Sequence, residues 1–476
     1  MRTVILPSGG TPFISFRLMF ETGSADDPPG REGLAALTAG LLAEGGTRAL
    51  TYEQLLDALY PMAAGIGVQV DREATVVYGT VHRDHLDAYY DLLRQVVLEP
   101  RFDAKDFLRI RDDQRNAIVA GLRAADDEAL GKEALASMLY PGQPYGRPAE
   151  GTVAGIDAIG GADPASFHRE RYARDRMIVG LAGAVPDPFV RRVLDDLAAL
   201  PESGAPRGTG PRPDAGDGLT ALVVTKPARA CAISLGHDLP VTRAADDFYP
   251  LFVAGSYFGE HRTFNGVLMT KMRSDRGLNY GDYAYVESFV QDGSSTFPLP
   301  NVPRRRQAFT IWIRPVAPEN AHFAIRLAVR EMRRLVRDGL PAQAFEETKE
   351  FLASYSRLWV QTPSRRLGYA MDGAFYGRLG LVEELAARLP GMTRDEVNAA
   401  VRRHLDPERL RIAIVAGPEH AGAIAEALAS DAPSPIVYAT DTRPDVIEED
   451  CEVAVEPLAL DRARCRIVPA DAMFER

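Results

Sequence analysis

The sequence predicts an α+β protein, an α/β sandwich repeated as two homologous domains. Each domain is expected to hold a largely antiparallel or mixed sheet with helices packed on one face. Strands and helices alternate along the chain, and the same order of elements occurs twice. A stretch rich in Pro and Gly separates the two copies. We therefore expect a linker to join the two domains into a clamshell.

The first matching segments are a strand followed by an amphipathic helix. Residues 74–82 (ATVVYGTVH) and 307–314 (QAFTIWIR) are rich in β-branched and aromatic side chains, which favour strands. Apolar residues then recur at helical spacing in HLDAYYDLLRQVV in the first copy and in ENAHFAIRLAVREMRRLV in the second. This pairing indicates one strand–helix unit that is used twice.

Two further pairs of segments follow in the same order. A long helix with charges on one face is predicted for FDAKDFLRIRDDQRNAI and for LPAQAFEETKEFLASYSRL. Each copy then closes with a helix, a turn and a buried strand, over residues 167–185 and 397–418. These pairs extend the repeat over both halves of the chain.

The repeat divides the chain into four parts. The N-terminal domain is predicted for residues 1–200 and the C-terminal domain for residues 219–432. The segment PESGAPRGTGPRPDAGDG, residues 201–218, has no apolar face and is predicted to be the linker. Residues 433–476 extend past the repeat, and we expect this extension to pack on the second domain.

Charge and hydropathy exclude some kinds of partner. The 476 residues carry 55 Lys and Arg against 66 Asp and Glu, a net charge of −11, which argues against a nucleic-acid partner. The clearest basic tract is residues 304–306, Arg-Arg-Arg. No apolar run approaches the roughly 20 residues that span a bilayer. Residues 1–7 resemble a strand more than a signal peptide, so a cytoplasmic location is expected, or a periplasmic one if a leader was removed.

Cysteine and histidine are both scarce. Cys231, Cys451 and Cys465 are too few for a disulfide framework, and three buried free thiols are favoured over a single disulfide. Of the eight histidines, His82 and His85 are the close pair, and their spacing allows zinc ligation. They lie where a strand meets a helix, however, and no supporting Glu or Cys is nearby in the sequence. A solvated corner is therefore expected there.

Common catalytic motifs are missing from the sequence. Neither H-E-x-x-H nor H-x-x-E-H occurs, and there is no G-x-S-x-G, phosphate-binding loop or dinucleotide fingerprint. Residues 255–259 (GSYFG) lack the spacing of a glycine-rich loop and are interpreted as a helix end. No nucleophile and base stand together in a recognisable pattern.

The opening segment does carry family information. Residues 6–59 resemble the N-terminal module of the insulinase/pitrilysin metallopeptidases, the inverzincins. The matching positions are Gly23-Ser24, Gly33-Leu34-Ala35 and Gly45-Gly46-Thr47. The resemblance covers nearly the whole chain, because family members are duplicated α/β domains joined by a linker. It implies a clamshell fold and a peptide substrate.

The sequence departs from the family at the metal site. Where the family has two His ligands and a catalytic Glu, this chain has Ala36, Ala39 and Gly40. The family's third ligand, a Glu, falls at Asn116 or Ala117. Zinc in a catalytic site needs at least three donor side chains and a base for its water. We therefore expect no cofactor in this chain, and zinc in a partner subunit.

A second resemblance lies in the C-terminal domain. Residues 258–289 resemble the family's C-terminal signature, in which an Arg ends a helix and a Tyr opens the next strand; these map to Arg273 and Tyr280. In the family the two side chains reach toward the substrate, and both can donate hydrogen bonds to a carbonyl or an oxyanion. The structural alternative is an inherited turn in which Tyr280 packs on the sheet and Arg273 caps the helix.

The loop before this signature also differs from the family pattern G-G-G-x-x-S-R-L. His261 and Arg262 stand where small residues are usual. Their bulk is expected to narrow the chamber or to contact a partner.

The resemblance implies a function that depends on a second chain. A chain with the Arg/Tyr pair but no zinc motif resembles the non-catalytic subunit of a heterodimeric zinc metalloendopeptidase. Its expected partner is a zinc-bearing homologous subunit that cleaves peptides. The alternatives are a zinc-free, chaperone-like protein that binds peptides, and a purely structural subunit.

Overall fold

The computed structural model describes most of the chain. The described residues are 1–206, 216–263, 265–291, 293–430, 432–438 and 442–476. Residues 207–215, in the middle of the predicted linker, lie outside them.

The strands of the described residues fall into two groups. The first group is β1 (Arg2–Pro7), β2 (Phe13–Phe20), β3 (Gly65–Val70), β4 (Thr75–His82) and β5 (Met177–Gly183). The second is β6 (Thr220–Thr225), β7 (Cys231–Leu239), β8 (Asp282–Tyr285), β9 (Gln307–Val316), β10 (Arg411–Ala416) and β11 (Cys465–Pro469).

The helices lie between and after these strands. In the first half they are α1 (Leu34–Glu44), α2 (Tyr52–Leu59), α3 (Leu86–Leu98), α4 (Ala104–Asn116), α5 (Asp127–Leu139), α6 (Val153–Asp157), α7 (Asp163–Arg171) and α8 (Asp187–Leu197). In the second half they are α9 (Phe248–Gly259), α10 (Ala321–Asp338), α11 (Ala342–Trp359), α12 (Pro363–Tyr376), α13 (Leu381–Arg388), α14 (Arg394–His404), α15 (Pro418–Ser430) and α16 (Pro444–Val453). Ala117–Ala125 and Met269–Ser274 are π-helical.

The two sheets have the same topology. In the described residues the first sheet has the order β1-β5-β2-β4-β3 and the second β11-β6-β10-β7-β9-β8. Without β11, the second order repeats the first strand for strand. The pairs β1 with β5 and β6 with β10 are parallel, and so is the added pair of β11 with β6; the remaining pairs are antiparallel. The structure therefore confirms the predicted fold class of two homologous mixed-sheet domains.

Strand β2 shows how one strand serves both faces of its sheet. Phe16, Leu18 and Phe20 belong to the core beneath the helices of the first half. Met19 points to the opposite face, where it joins a second apolar cluster. Successive side chains of a strand alternate between the faces, so the run FISFRLMF is buried on both. The second face needs its own cover.

Helices of the opposite half supply that cover. Leu367 and Met371 of α12 pack with Ile178 of the first sheet, and Leu130 of α5 packs with Val415 of the second. Each sheet thus has the predicted helices of its own half on one face. On the other face it has a helix of the opposite half, which we call the exchanged helix. This exchange holds the two halves together through apolar burial.

One glycine permits this close packing. A Cβ atom on Gly180 of β5 would lie 2.3 Å from the Met371 sulfur of α12. Since real Cβ contacts do not approach that distance, α12 sits this close to the sheet only because residue 180 has no side chain.

The C-terminal extension touches both halves. Strand β11 pairs in parallel with β6, as expected for an extension that packs on the second domain. Met473 and Phe474 pack in the cluster that contains α5, and the backbone N–H of Val153 donates to the Phe474 carbonyl at 3.0 Å. The extension therefore also fastens the first half to the second.

The Arg-Arg-Arg tract is an ionic contact between the halves. Arg304 donates from Nε and Nη2 to the Asp71 carboxylate, both at 2.7 Å, and Arg305 pairs with Glu73 and Glu21. Burial opposes ionisation of Asp71, but the Arg304 guanidinium outweighs it and lowers the pKa of that carboxyl. This basic tract is thus engaged by acidic side chains of the first half.

The cysteines agree with the sequence prediction in part. All three cysteines are free; Cys231 and Cys465 are buried, but Cys451 is exposed on α16, so the prediction of three buried thiols is wrong for Cys451.

None of the helices in the described residues is long and apolar enough to cross a membrane.

Removal of Arg304 should destabilise the protein strongly. We expect Arg304→Met to lower the free energy of unfolding by about 3–5 kcal/mol, because the buried Asp71 carboxylate loses its main partner. Urea denaturation measures the change. As a control, Arg31→Met breaks an exposed pair with Asp163 and should cost less than about 1 kcal/mol. Equal losses of unfolding free energy for the two variants would contradict a special stabilising role of the Arg304–Asp71 pair.

Candidate functional site

Helix α1 carries the positions that correspond to the family's zinc motif. Its N-terminus is fixed by Asp27, whose carboxylate oxygens accept from the backbone N–H groups of Gly33 and Ala35, each at 2.7 Å. Gly33 has φ 111°, a conformation that favours glycine. Burial raises the pKa of Asp27 to about 7, although the two N–H donors oppose the shift. The helix start is therefore well ordered.

The residues at those positions do not fit a metal. Ala36, Ala39 and Gly40 have no donor atom to offer. A Cβ on Gly40 would lie 2.8 Å from Cγ2 of Ile110, so α4 occupies the space into which a larger side chain would extend. Helices α1 and α4 therefore pack together at the positions that the sequence resemblance assigned to the zinc motif.

The third expected ligand position is equally unsuited. Asn116 ends α4 and Ala117 begins the π-helical segment, and both are exposed. Across the described ranges, no group of three or more His, Cys, Asp and Glu side chains could hold a metal ion. His82 and His85 flank the corner between β4 and α3, with His85 exposed. We assign no zinc chemistry to this chain's own residues.

The structure brings Arg273 and Tyr280 together. The Arg273 guanidinium lies 4.4 Å from the centroid of the Tyr280 ring, and its Nη1 donates to the Tyr280 carbonyl at 3.2 Å. Tyr280 is 70% exposed, so it does not pack on the sheet as the structural alternative requires. Arg273 bonds to the turn that follows its helix. The pair joins a half-buried guanidinium to an exposed phenol.

The turn before β8 holds this unit in place. Asn279 donates from Nδ2 to Asp282 Oδ1 at 2.6 Å and to the Arg314 carbonyl at 3.0 Å, while its own oxygen accepts from Gly281 N–H. Burial raises the pKa of Asp282 to about 8, and the Asn279 amide and Arg314 oppose that shift. Asp282 is therefore largely protonated at neutral pH, and it adds no negative charge beside Tyr280.

Sequence reasoning missed a third residue of the site, Arg314. Its guanidinium carbon lies 5.9 Å from the Tyr280 ring centroid, and Nη2 donates to Glu128 of α5 at 3.1 Å. Arg314 lies on β9, next to β8 in the second sheet. Its position at the end of the predicted strand QAFTIWIR gave no signal, because Glu128 belongs to the other half of the chain. The exchanged helix thus supports the site.

The loop before the signature divides into a buried and a half-buried residue. His261 is 1% exposed; it lies between Phe289 and Tyr283 and shares a 2.5 Å hydrogen bond through Nδ1 with the Tyr285 hydroxyl. Burial lowers the pKa of His261 to about 3. The expectation that its bulk narrows a chamber or contacts a partner is therefore wrong for His261. Arg262, the next residue, is half-buried.

A cavity of about 1010 Å³ separates the two halves near this site. Its walls are α5, the segment Ala117–Ala125, the end of β3, and β9. Arg314 and Lys132 line it, and so does Ala117, whereas Ala36 and Gly40 are not part of the described lining. Ala117 therefore lies on the cavity wall, and those expected metal positions that belong to α1 lie outside the lining.

Comparisons with known proteins identify the family. The family described as Insulinase (Peptidase family M16) matches residues 3–153, and the one described as Peptidase M16 inactive domain matches residues 162–352. The chain belongs to the peptidase M16 family. This confirms the resemblance seen in the sequence.

Relatives within the M16 family cover most of the chain. A protein named an uncharacterized zinc protease from Mycobacterium tuberculosis is 27% identical over 355 residues, which are 72% of this chain and 75% of that protein. The uncharacterized zinc protease YmxG of Bacillus subtilis is 19% identical over 389 residues, which cover 80% and 88%.

Solved structures share the M16 fold. A peptidase M16 inactive domain from Pseudomonas fluorescens superposes with a TM-score of 0.76 at 21% identity, covering 87% of this chain and 95% of that one. A protease from Helicobacter pylori gives a TM-score of 0.74 at 15% identity, covering 87% and 96%. The clamshell of two similar domains is thus the M16 architecture.

Alkaline pH should test the protonated state of Asp282. The folded-state pKa of about 8 lies above the ordinary 3.8, so the stabilising effect of the proton is present at low pH and lost as pH rises through 8. Between pH 7 and pH 9 the free energy of unfolding of the wild type should fall by about 1.4 kcal/mol relative to that of Asp282→Asn, whose side chain is uncharged and similar in shape. Parallel urea titrations at the two pH values measure this; identical pH dependence would contradict it.

Proposed function

We propose that this protein is the non-catalytic subunit of a heterodimeric zinc metalloendopeptidase. Its partner is a zinc-bearing homologous M16 subunit, and their common substrate is a peptide. In this arrangement the partner supplies the metal and the base, and this chain supplies groups that bind the substrate.

One contrast within the structure carries the proposal. The α1 positions 36, 39 and 40 hold no donor atoms, and α4 fills the space beside Gly40. In the same chain the half-buried Arg273 guanidinium lies against the exposed ring of Tyr280, and Asn279 holds the turn beneath them. This contrast supports a subunit that lacks the zinc residues and supplies the Arg/Tyr pair.

The Arg/Tyr pair has a defined chemical task in this proposal. The Tyr280 hydroxyl and the Arg273 guanidinium donate hydrogen bonds to the carbonyl oxygen of the scissile peptide bond. As the carbonyl carbon becomes tetrahedral, negative charge grows on that oxygen, and the donors bind it more tightly than they bind the ground state. Since the guanidinium stays charged at any working pH, it stabilises the oxyanion without a proton transfer.

The substrate backbone can be held by an exposed sheet edge. Strand β3 is the outer strand of the first sheet and pairs with β4 on one side. An extended peptide that adds to such an edge gains main-chain hydrogen bonds that do not depend on its sequence. This supports a subunit that orients an extended peptide and leaves the cleavage chemistry to its partner.

Substitution of the pair tests the proposal in the assembled complex. Arg273→Ala or Tyr280→Phe should lower the turnover number of the partner's peptide cleavage by about 100-fold, the loss typical for removal of one oxyanion donor. Zinc content, measured for each separated chain, should stay with the partner. The controls are Arg83→Ala and Tyr60→Phe, which alter exposed side chains outside the pair. Full turnover with both pair variants would refute the role.

A peptide-binding protein without proteolysis is the second candidate. The cavity between the halves lies within this single chain, so a peptide could bind here without any partner. Purification of the native protein separates the two: a stoichiometric zinc-bearing M16 partner favours the subunit role, and a homodimer that binds peptides favours the second candidate.

A further inference from the structure

A group of cations extends from Tyr280 to the cavity wall, and we call it the cationic collar: Lys132, Arg262, Arg273 and Arg314. We propose that the collar selects peptides that carry acidic side chains. This inference rests on the proposed function, because it names the substrate class of the same Arg/Tyr site. It rests on the position, the pairing and the surroundings of the four cations.

The four side chains converge from three parts of the fold. The guanidinium carbons of Arg273 and Arg314 lie 4.4 and 5.9 Å from the Tyr280 ring centroid. Lys132 of α5 places its Nζ 3.6 Å from the Trp312 ring centroid, on the cavity wall that it shares with Arg314. Burial lowers the Lys132 pKa; Glu128 and Asp126 oppose that shift, and the nearby Arg314 and Arg262 add to it. The collar therefore runs from Tyr280 to the cavity.

The collar is not neutralised by its own surroundings. Arg314 is paired with Glu128, but within the described part of the chain neither Lys132 nor Arg262 has a carboxylate within 4.0 Å. Asp282, held by the Asn279 amide in the turn after Tyr280, has a pKa that burial raises to about 8. Glu128 and Asp126 raise the Lys132 pKa, but Glu128 is paired with Arg314, and the Asp126 carboxylate caps α5, where it accepts from Ala129 N–H. A positive excess remains.

Most acidic side chains that line the cavity already have arginine partners. Asp71 is bound by Arg304, and Glu133 by Arg72. Glu150 also lines the cavity, where it is close enough to Arg72 and Glu133 for their charges to affect its pKa. These pairs leave the Lys132 end of the cavity as its cationic end.

The chemistry of an incoming ligand follows from this imbalance. The Lys132 ammonium is half-buried and stacked on an aromatic ring, so it has lost part of its hydration, while the Glu128 and Asp126 carboxylates act on it from beyond ion-pair distance. A peptide carboxylate would supply a charge-assisted hydrogen bond to it, and a second one could reach Arg262. A basic peptide would be repelled by all four cations. The preference is notable in a chain whose net charge is −11.

Peptide binding to this chain alone tests the inference. Three fluorescein-labelled extended peptides would be compared by fluorescence anisotropy, identical except for Glu, Gln or Lys at alternate positions. We expect the Glu peptide to bind about tenfold more tightly than the Gln peptide at low salt, and the Lys peptide most weakly. Added NaCl should narrow the difference, since it screens the charges.

Variants locate the preference in the collar. The double change Lys132→Met/Arg262→Gln should reduce the Glu-over-Gln preference to less than about threefold, because Met keeps the contact with Trp312 while the charge is lost. If the double variant folds poorly, the Glu-over-Gln preference is measured with Arg262→Gln alone, since this residue is half-exposed. The matched control Lys105→Gln removes one exposed charge on α4 and should leave the preference unchanged.

The outcomes separate this inference from the proposed function. Equal binding of the Glu and Gln peptides, or tighter binding of the Lys peptide, would overturn the acidic preference. Unchanged selectivity in the double variant would also overturn it. The subunit role is judged separately by partner turnover with Arg273→Ala and Tyr280→Phe. Acidic preference without any effect of those two variants would leave the inference standing and reject the proposed function.

Discussion

The exchange of helices between the two sheets is the contact on which the rest of the structure depends. Each sheet carries apolar side chains on both faces, and a sheet of this kind is stable only when both are covered. The helices that follow in sequence cover one face, and α5 and α12 cross to the opposite half to cover the other. The two domains are therefore parts of one folding unit rather than lobes joined only by their linker.

Buried polar contacts give that apolar exchange a single register. Arg17 of β2 donates from Nη1 to Asn301 Oδ1 at 2.6 Å, and Asn301 in turn donates from its backbone N–H to Asp372 of α12 at 2.9 Å. Asn301 has φ 68°, in the left-handed region that asparagine tolerates better than most residues. Apolar packing alone tolerates small shifts, whereas these directional bonds do not. Together with the Arg304–Asp71 pair they fix the segment before β9 against both halves.

The same architecture explains how an M16 fold persists without the residues for zinc. In this chain α1 remains capped by Asp27 and buries its apolar face in the first core. Small residues at the former ligand positions let α4 approach, as the contact between Gly40 and Ile110 shows. Apolar packing of α1 against the first core and against α4 stabilises this part of the fold. Arg273, Tyr280 and the turn that supports them lie close together in sequence, and their contacts are local.

The sequence by itself determined the features that depend on local order. Strand and helix periodicity predicted the duplicated mixed-sheet domains, and the motif positions predicted that Arg273 and Tyr280 belong together and that Ala36 cannot bind zinc. Only the tertiary structure decided that Arg314 and Glu128 support Tyr280, that His261 is buried, and that Lys132 joins the collar. These contacts link residues far apart in the chain, and they exist because α5 crosses to the other sheet. Periodicity shows that a helix has an apolar face; it does not show which sheet that face will cover.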